Sequence, residues 1–287
     1  MSKMSIRFYN NKEVRAVWDD ENGGWWFAAV DIVAAINDET DNSKSRKYWN
    51  TLKSRHSELS TNCRQLKMTA DDGKRYLTDS VSQETISKIA LAISGKKAAI
   101  FLEWFEYSDK TIDGQSQKKA YELFDSSIYD KIEIGTVKGL QQIHAFIFGG
   151  LYDFAGKIRT KNITKDNFQF APVQFLNQTL SNIENMPETS FDEIIDKYIE
   201  MNIAHPFMEG NGRATRIWLD LILKKNLKKC VDWSKIEKSD YLNAMRKSTV
   251  DGSEIKRLIF SALTDKINDR EMFMKGIDYS YYYEQVD

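Results

Sequence analysis

Cysteine is nearly absent: Cys63 and Cys230 are the only two in 287 residues, far apart and in no CxxC pair. That excludes a disulfide framework and a cysteine-rich zinc site, and both read as free thiols of a reducing compartment. Proline is scarce, with three in the chain. Together with recurring helical periodicity, this points to a mostly helical protein. No apolar run approaches the ~18 residues that a bilayer-spanning helix needs. The start, Met1-Ser2-Lys3-Met4-Ser5-Ile6-Arg7, has no apolar core of a signal peptide. No membrane partner is expected, and a soluble cytoplasmic protein is. An excess of charge is also lacking: 41 Lys and Arg against 42 Asp and Glu leave a net −1. Global charge therefore argues neither for nor against a nucleic-acid partner. Hydrophobic residues are plentiful at 41 %, with 12 % aromatic, so wholesale disorder is excluded. At about 100–200 residues per domain, two domains are expected.

The N-terminal stretch reads as β-structure. Ile6-Arg7-Phe8-Tyr9 and Arg15-Ala16-Val17-Trp18 are short β-favouring runs, and Asp20-Glu21-Asn22-Gly23-Gly24 is a turn signal. Trp25 to Val30 follows, and Asp31 is positioned to cap a short helix through Ile36. Residues 42–75 are basic: Lys44, Arg46, Lys47, Lys53, Arg55, Arg64, Lys67, Lys74 and Arg75 outnumber Glu58, Asp71 and Asp72. From 79 to 107 the pattern is helical. Residues 108–119 are polar and contain glycine, which places a domain boundary there, or an exposed link between two packed helices. Beyond 120 the chain reads as helical. Val137 to Phe148 is amphipathic, and Gly149 to Gly156 breaks it. Lys157 to Pro172 alternates and suits a β-hairpin. Phe191 to Ala204 and Arg213 to Asn226 are two strong helices.

Between those helices lies His205-Pro206-Phe207-Met208-Glu209-Gly210-Asn211-Gly212-Arg213-Ala214-Thr215-Arg216. The Gly210-Asn211-Gly212 run lets the backbone take positive φ angles and approach a ligand. The following helix aims its free N–H groups and positive dipole end at the same loop, which makes an anion site. Arg213 and Arg216, three apart, add two guanidinium forks that suit a polyphosphate. His205 can take a proton from an attacking hydroxyl at neutral pH. Glu209 is a carboxylate suited to a Mg²⁺ that bridges phosphate oxygens. Phe207 anchors the loop in the core. Taken singly, such a histidine is a helix cap and such a Gly-Asn-Gly a turn. Within twelve residues, base, metal ligand, glycine nest and two arginines form a catalytic set. His56 and His144 have no such company, and His144 reads as a structural helix residue.

This loop resembles the complete signature of Fic proteins, which transfer AMP from ATP to a hydroxyl of a target protein. The resemblance runs over residues 121–287. Gly150 to Arg159 and Asn162-Ile163-Thr164-Lys165 resemble the segment leading into that family's hairpin flap, which pairs with an extended segment of the target protein. The resemblance implies that His205 is the general base and Glu209 holds Mg²⁺. It implies that Gly210, Asn211 and Gly212 cradle the phosphates of ATP, that Arg213 contacts the transferring end, and that Arg216 contacts the γ-phosphate. It also implies that Lys165 covers the nucleotide from the flap. The implied chemistry is in-line attack on the α-phosphorus with pyrophosphate leaving, driven by positioning and electrostatic stabilisation.

The chain ends in Tyr279-Ser280-Tyr281-Tyr282-Tyr283-Glu284-Gln285-Val286-Asp287. Read by itself, this is an aromatic helix with one carboxylate. Ser280 and Glu284 resemble the Fic inhibitory motif Ser/Thr-x-x-x-Glu-Gly/Asn, with Gln285 in place of Gly or Asn. The C-terminal position resembles the subclass whose inhibitory helix follows the catalytic core. The resemblance implies that Glu284 pairs with Arg216 and blocks productive γ-phosphate binding. Tyr281, Tyr282 and Tyr283 become candidates for self-modification if that helix detaches.

The expected fold is mainly α: a smaller α+β module over 1–110, then an all-helical catalytic domain with a small hairpin over 120–287. Trp25 to Val33 and Lys96 to Trp104 are similar to Bro-N and phage antirepressor domains, which implies DNA as a partner of the module. Two other readings remain: transfer of a different phosphate-containing group by the same loop, and a DNA-binding regulator that uses its second half as a nucleotide sensor. Oligomeric state is left open, a homo-oligomer included.

Overall fold

The computed structural model describes residues 4–19, 24–70, 72–108, 110–165 and 168–285. Most of the expected turn at 20–24 lies outside them. The chain divides into two compact units, Met1–Thr111 and Ile112–Val286.

The first unit is α+β. Its strands are β1 (Met4–Tyr9), β2 (Lys12–Asp19) and β3 (Gly24–Ala28). Helices α1 (Ala29–Asn37), α2 (Asn42–Arg55) and α3 (Ser57–Thr61) follow. Then come β4 (Cys63–Thr69), β5 (Arg75–Ser82), α4 (Gln83–Ile93) and α5 (Lys96–Ser108). The strands pair antiparallel in the order β1-β2-β3-β5-β4. Val14, Ala16, Phe27 and Val81 bury against Ile32, Trp49, Ile86, Phe101 and Phe105 of the helices. Two expectations are corrected here. Residues 79–82 belong to β5, where Asp79 accepts from the Trp49 indole N–H at 2.7 Å, and not to a helix. Asp31 does not cap α1: the N-cap is Ala28, with no side-chain bond. Asp31 instead lies buried in the first turn with both oxygens on the Arg15 guanidinium, at 2.7 and 2.8 Å. Of the basic residues at 42–75, Lys53 pairs with Asp79. Arg64 reaches Asp19 at 3.4 Å, and its guanidinium lies over the Trp26 ring.

The second unit is almost all helix. It comprises α6 (Ile112–Asp125), α7 (Val137–Phe148), β6 (Thr164–Lys165), β7 (Phe168–Gln169), α8 (Val173–Glu184) and α9 (Phe191–Ala204). It continues with α10 (Asn211–Leu227), β8 (Cys230–Val231), α11 (Lys238–Lys247), α12 (Ser253–Ser261), β9 (Leu263–Thr264) and α13 (Arg270–Tyr282). Helix α9 starts with a capping box in which Ser190 and Glu193 satisfy each other's backbone N–H groups. Its face of Ile194, Ile195, Tyr198 and Met201 is buried, as is the Ile217, Trp218, Leu221 and Ile222 face of α10. The polar stretch at 108–119 is helical from Ile112 onward. Its packing face is Ser116, Ala120 and Leu123, two of them too small to register as an apolar stripe. The expected hairpin over 157–172 is, among the described residues, a pair of two-residue strands joined through Thr164↔Gln169 and Lys165↔Phe168.

Candidate active site

Helix α9 ends at His205, its C-cap, in the left-handed region at φ 48. Helix α10 begins after Gly210, also left-handed at φ 80. Between these two points the chain reverses. Asn211 locks the reversal: its amide accepts from Phe207 N–H and donates to the Phe207 carbonyl, both at 2.8 Å. Phe207 is fully buried and stacks on His144, with centroids 3.8 Å apart. His144 accepts from the Gly156 N–H at 2.9 Å, so its other ring nitrogen carries the proton and meets the Glu209 carbonyl at 2.9 Å. Burial keeps His144 neutral, with its pKa lowered to about 4. The histidine read as structural is therefore the clamp that holds the motif loop against α7.

Not every residue of Gly210-Asn211-Gly212 takes a positive φ. Only Gly210 does, and Asn211 and Gly212 open α10 as helix. Gly210 is needed for closeness too, since a Cβ there would overlap the Phe148 ring. The start of α10 has no side-chain cap, so its first N–H groups point into the site.

Arg213 and Arg216 are both buried, at 4 % and 2 % exposure. Arg213 pairs with Asp113, at the start of α6, and with Glu209 at 2.8 Å. Its Nε is buried without a hydrogen-bond partner among the described residues. Every nitrogen of Arg216 donates. Nε reaches Ser280 Oγ at 2.7 Å and Nη1 the Tyr241 hydroxyl at 3.2 Å. Nη2 reaches the Ser280 carbonyl at 2.8 Å and Glu284 Oε1 at 2.5 Å. The Tyr241 and Tyr283 rings flank its guanidinium. Beside Arg216, the Glu284 carboxyl is held below its ordinary range in spite of its own burial.

His205 stacks against Phe170, with centroids 3.7 Å apart. Its Nδ1 lies 3.2 Å from the Asn202 carbonyl, which can only accept. The proton therefore sits on Nδ1, and Nε2 is left as the acceptor. Burial first, then the charges of Lys165 and Arg159, lower the imidazole pKa to about 4; the Asn202 carbonyl and the Glu284 charge oppose this. Lys165 is exposed on β6 and acts electrostatically on both His205 and Glu284.

Residues 135–223 match the Fic/DOC family. The chain carries a Fic domain. Over 175 residues it is 30 % identical to the protein adenylyltransferase VbhT of Bartonella schoenbuchensis, covering 56 % of this chain and 35 % of that protein. Over 156 residues it is 25 % identical to the probable protein adenylyltransferase Fic of Escherichia coli K12, covering 49 % of this chain and 77 % of that protein. The crystal structure of the BepC protein of Bartonella tribocorum, with bound AMPPNP, superposes with a TM-score of 0.44 at 18 % identity. That superposition covers 55 % of this chain and 87 % of the BepC chain.

The second unit thus gathers His205, Glu209, Gly210, Asn211, Gly212, Arg213, Arg216, Ser280 and Glu284 around one reversal of chain. Tyr281 and Tyr283 are buried and Tyr282 half-buried. The Tyr281 hydroxyl donates to Ser116, and that of Tyr283 faces the Trp233 and Ile236 carbonyls. Sequence reasoning missed Asp113, Asn202, Phe170 and Tyr241. Asp113, Phe170 and Tyr241 reach the site through tertiary packing, with no local pattern to mark them, and Asn202, three residues before His205, acts through its backbone carbonyl, which no side-chain pattern marks.

Proposed function

We propose that this chain transfers AMP from ATP to a Ser, Thr or Tyr hydroxyl of another protein, and that its C-terminal segment holds the activity off. The observation that carries the reading is the buried Arg216, engaged at once by Ser280 and Glu284. An arginine placed for a phosphate and filled by a carboxylate is a competitive lock.

In the transfer, His205 Nε2 takes the proton of the target hydroxyl, the hydroxyl oxygen attacks the α-phosphorus, and pyrophosphate departs with the electrons of the breaking P–O bond. A neutral imidazole is ready at any physiological pH, and phosphates brought beside it raise its proton affinity during the step. The start of α10 and the two arginines receive phosphate charge. Glu209 is the residue that would hold Mg²⁺. Its carboxylate is exposed, and no cluster of three His, Cys, Asp or Glu suited to a metal exists among the described residues. A single carboxylate can serve such an ion, which would supply charge neutralisation on the leaving group. The hairpin edge at β6, carrying Lys165, is proposed to receive the extended target segment.

Labelled nucleotide incorporation tests this. Glu284→Gly increases transfer over the parent, and His205→Ala abolishes it. Parallel reactions with ATP, GTP, UTP and CTP separate adenylyl transfer from transfer of another group. A Glu284→Gly protein no more active than the parent sinks the lock.

A further inference from the structure

The residue that reaches most carbonyls around the catalytic histidine is one the transfer chemistry has not used. Arg159 is 3 % exposed. Its Nε donates to the His205 carbonyl at 2.8 Å, and its Nη2 to the Ala204 carbonyl at 3.1 Å. Its own N–H donates to the Pro206 carbonyl at 2.8 Å. The same guanidinium reaches the other way, to the carbonyls of Lys161 at 2.8 Å and of Ala171. Every acceptor is a backbone oxygen, and among the described residues no carboxylate lies within ion-pair distance. A buried guanidinium without an anion is costly unless its donors are matched. Here the negative end of α9 and its last carbonyls serve in place of an anion.

We propose that Arg159 is the positioning residue for the catalytic base: it ties the end of α9 to the base of the hairpin and so fixes the His205 imidazole where it meets the substrate hydroxyl. The inference rests on His205 being that base. Two features give the tie its work. His205 occupies the left-handed region, a conformation that a side chain with a Cβ disfavours by about 1–2 kcal/mol, and it persists only where its surroundings enforce it. Phe170, whose ring covers the imidazole, immediately precedes Ala171, whose carbonyl Arg159 holds and whose N–H donates to the Ile203 carbonyl at 3.2 Å. One guanidinium therefore sets both the backbone of the histidine and the ring packed on it. Its charge acts in the same direction. Around His205, Arg159 and Lys165 favour the neutral imidazole, and Glu284 and the Asn202 carbonyl oppose them. A lysine keeps the charge but, with a single nitrogen, cannot span both sets of carbonyls.

The test uses the full chain with Glu284→Gly, comparing Arg159, Arg159→Lys and Arg159→Met. One readout is kcat and KM for ATP. The other is the NMR titration of the imidazoles, of which there are three, with His205 assigned by its loss in His205→Ala. For Arg159→Lys, kcat falls on the order of 100-fold, as a displacement of about 1 Å produces, with KM for ATP within threefold of the parent. For Arg159→Met, the His205 titration also moves upward, toward ordinary histidine. An unchanged kcat in the lysine variant, a fall matched by an equal rise in KM, or an unmoved titration in the methionine variant overturns the proposal. If the methionine variant does not fold, the kinetic split of the lysine variant decides alone. If the parent itself transfers no AMP, the functional reading fails, while the His205 titration still decides the part played by Arg159.

Discussion

Gly212 has no room for a side chain, because the carboxylate of Glu284 lies where its Cβ would be. The two residues are 72 positions apart, yet one fits only while the other is glycine. The Arg216 Nη atoms are the next neighbours of that position, at 3.1 Å each. The carboxylate thus fills the space at the head of α10.

Gly212→Ala is therefore expected to lower the melting temperature of the parent, since the methyl displaces Glu284 from Arg216. In the Glu284→Gly background the same change is expected to be neutral or stabilising. There the methyl meets only the flexible end of Arg216, and alanine is preferred over glycine inside a helix by roughly 0.5–1 kcal/mol. Melting of the four proteins forms the cycle. An equal loss in both backgrounds means that the crowding comes from elsewhere.

Much of the candidate site was legible because its residues are contiguous: His205, Glu209, Gly210 to Gly212, Arg213 and Arg216 all lie within 205–216. Helices α7 and α9 were legible for a similar reason, each with a one-sided apolar face. Helix α6 was not, because it packs through Ser116 and Ala120. The part played by His144 was hidden because its partners are the backbone of Gly156 and Glu209, the latter 65 residues away. Arg159 was hidden likewise, since a guanidinium bound only to carbonyls leaves no complementary residue in the sequence. Asp31 was misread because an acid near a helix start fits a cap and a first-turn ion pair equally well, and only the neighbouring strand decides.

That ion pair yields a second expectation. The Asp31 side chain is 8 % exposed, and besides the guanidinium it accepts from the Arg15 backbone N–H at 3.0 Å. Asp31→Ala strands a half-buried guanidinium and is expected to cost about 3 kcal/mol. Replacing both partners, Asp31→Leu with Arg15→Met, is expected to recover most of that loss, because apolar packing replaces a desolvated pair well. Urea unfolding reads both. A double variant no more stable than Asp31→Ala contradicts this account.

Acid sensitivity follows from the two histidines. His144 and His205 stay neutral in the fold down to about pH 4, whereas an unfolded chain protonates them below about 6.5. Between pH 6.5 and 5 the unfolded state therefore binds up to two more protons, and stability falls as pH falls. Asp220 works the other way. Burial raises its carboxyl to about 7, so there the folded state holds the extra proton. Two protons against one leave a net loss approaching 1.4 kcal/mol per pH unit. His144→Asn is expected to remove most of that slope. Melting temperature against pH for both proteins checks it, and a parent curve that is flat or rises on acidification refutes the sign.

Tyr283 tests how the C-terminal segment is held. It follows α13 directly, its ring stacks on Tyr241 with centroids 4.8 Å apart, and its hydroxyl lies 2.8 Å from the Trp233 carbonyl and 2.7 Å from the Ile236 carbonyl. The residue after it is Glu284. Tyr283→Phe keeps the ring, the stacking and the carboxylate, and removes only the hydroxyl. The lost hydrogen bond and the carbonyls left bare weaken docking by about 1–2 kcal/mol. If docking of this segment controls access to Arg216, the fraction of undocked protein rises roughly 5- to 30-fold. AMP transfer rises with it, remaining below that of Glu284→Gly, where no carboxylate is left to compete. Combining Tyr283→Phe with Glu284→Gly is expected to give no further gain, because the hydroxyl acts only through the lock. A gain in the combined protein separates Tyr283 from the lock, and a fall in the single variant assigns the hydroxyl to the chemistry instead.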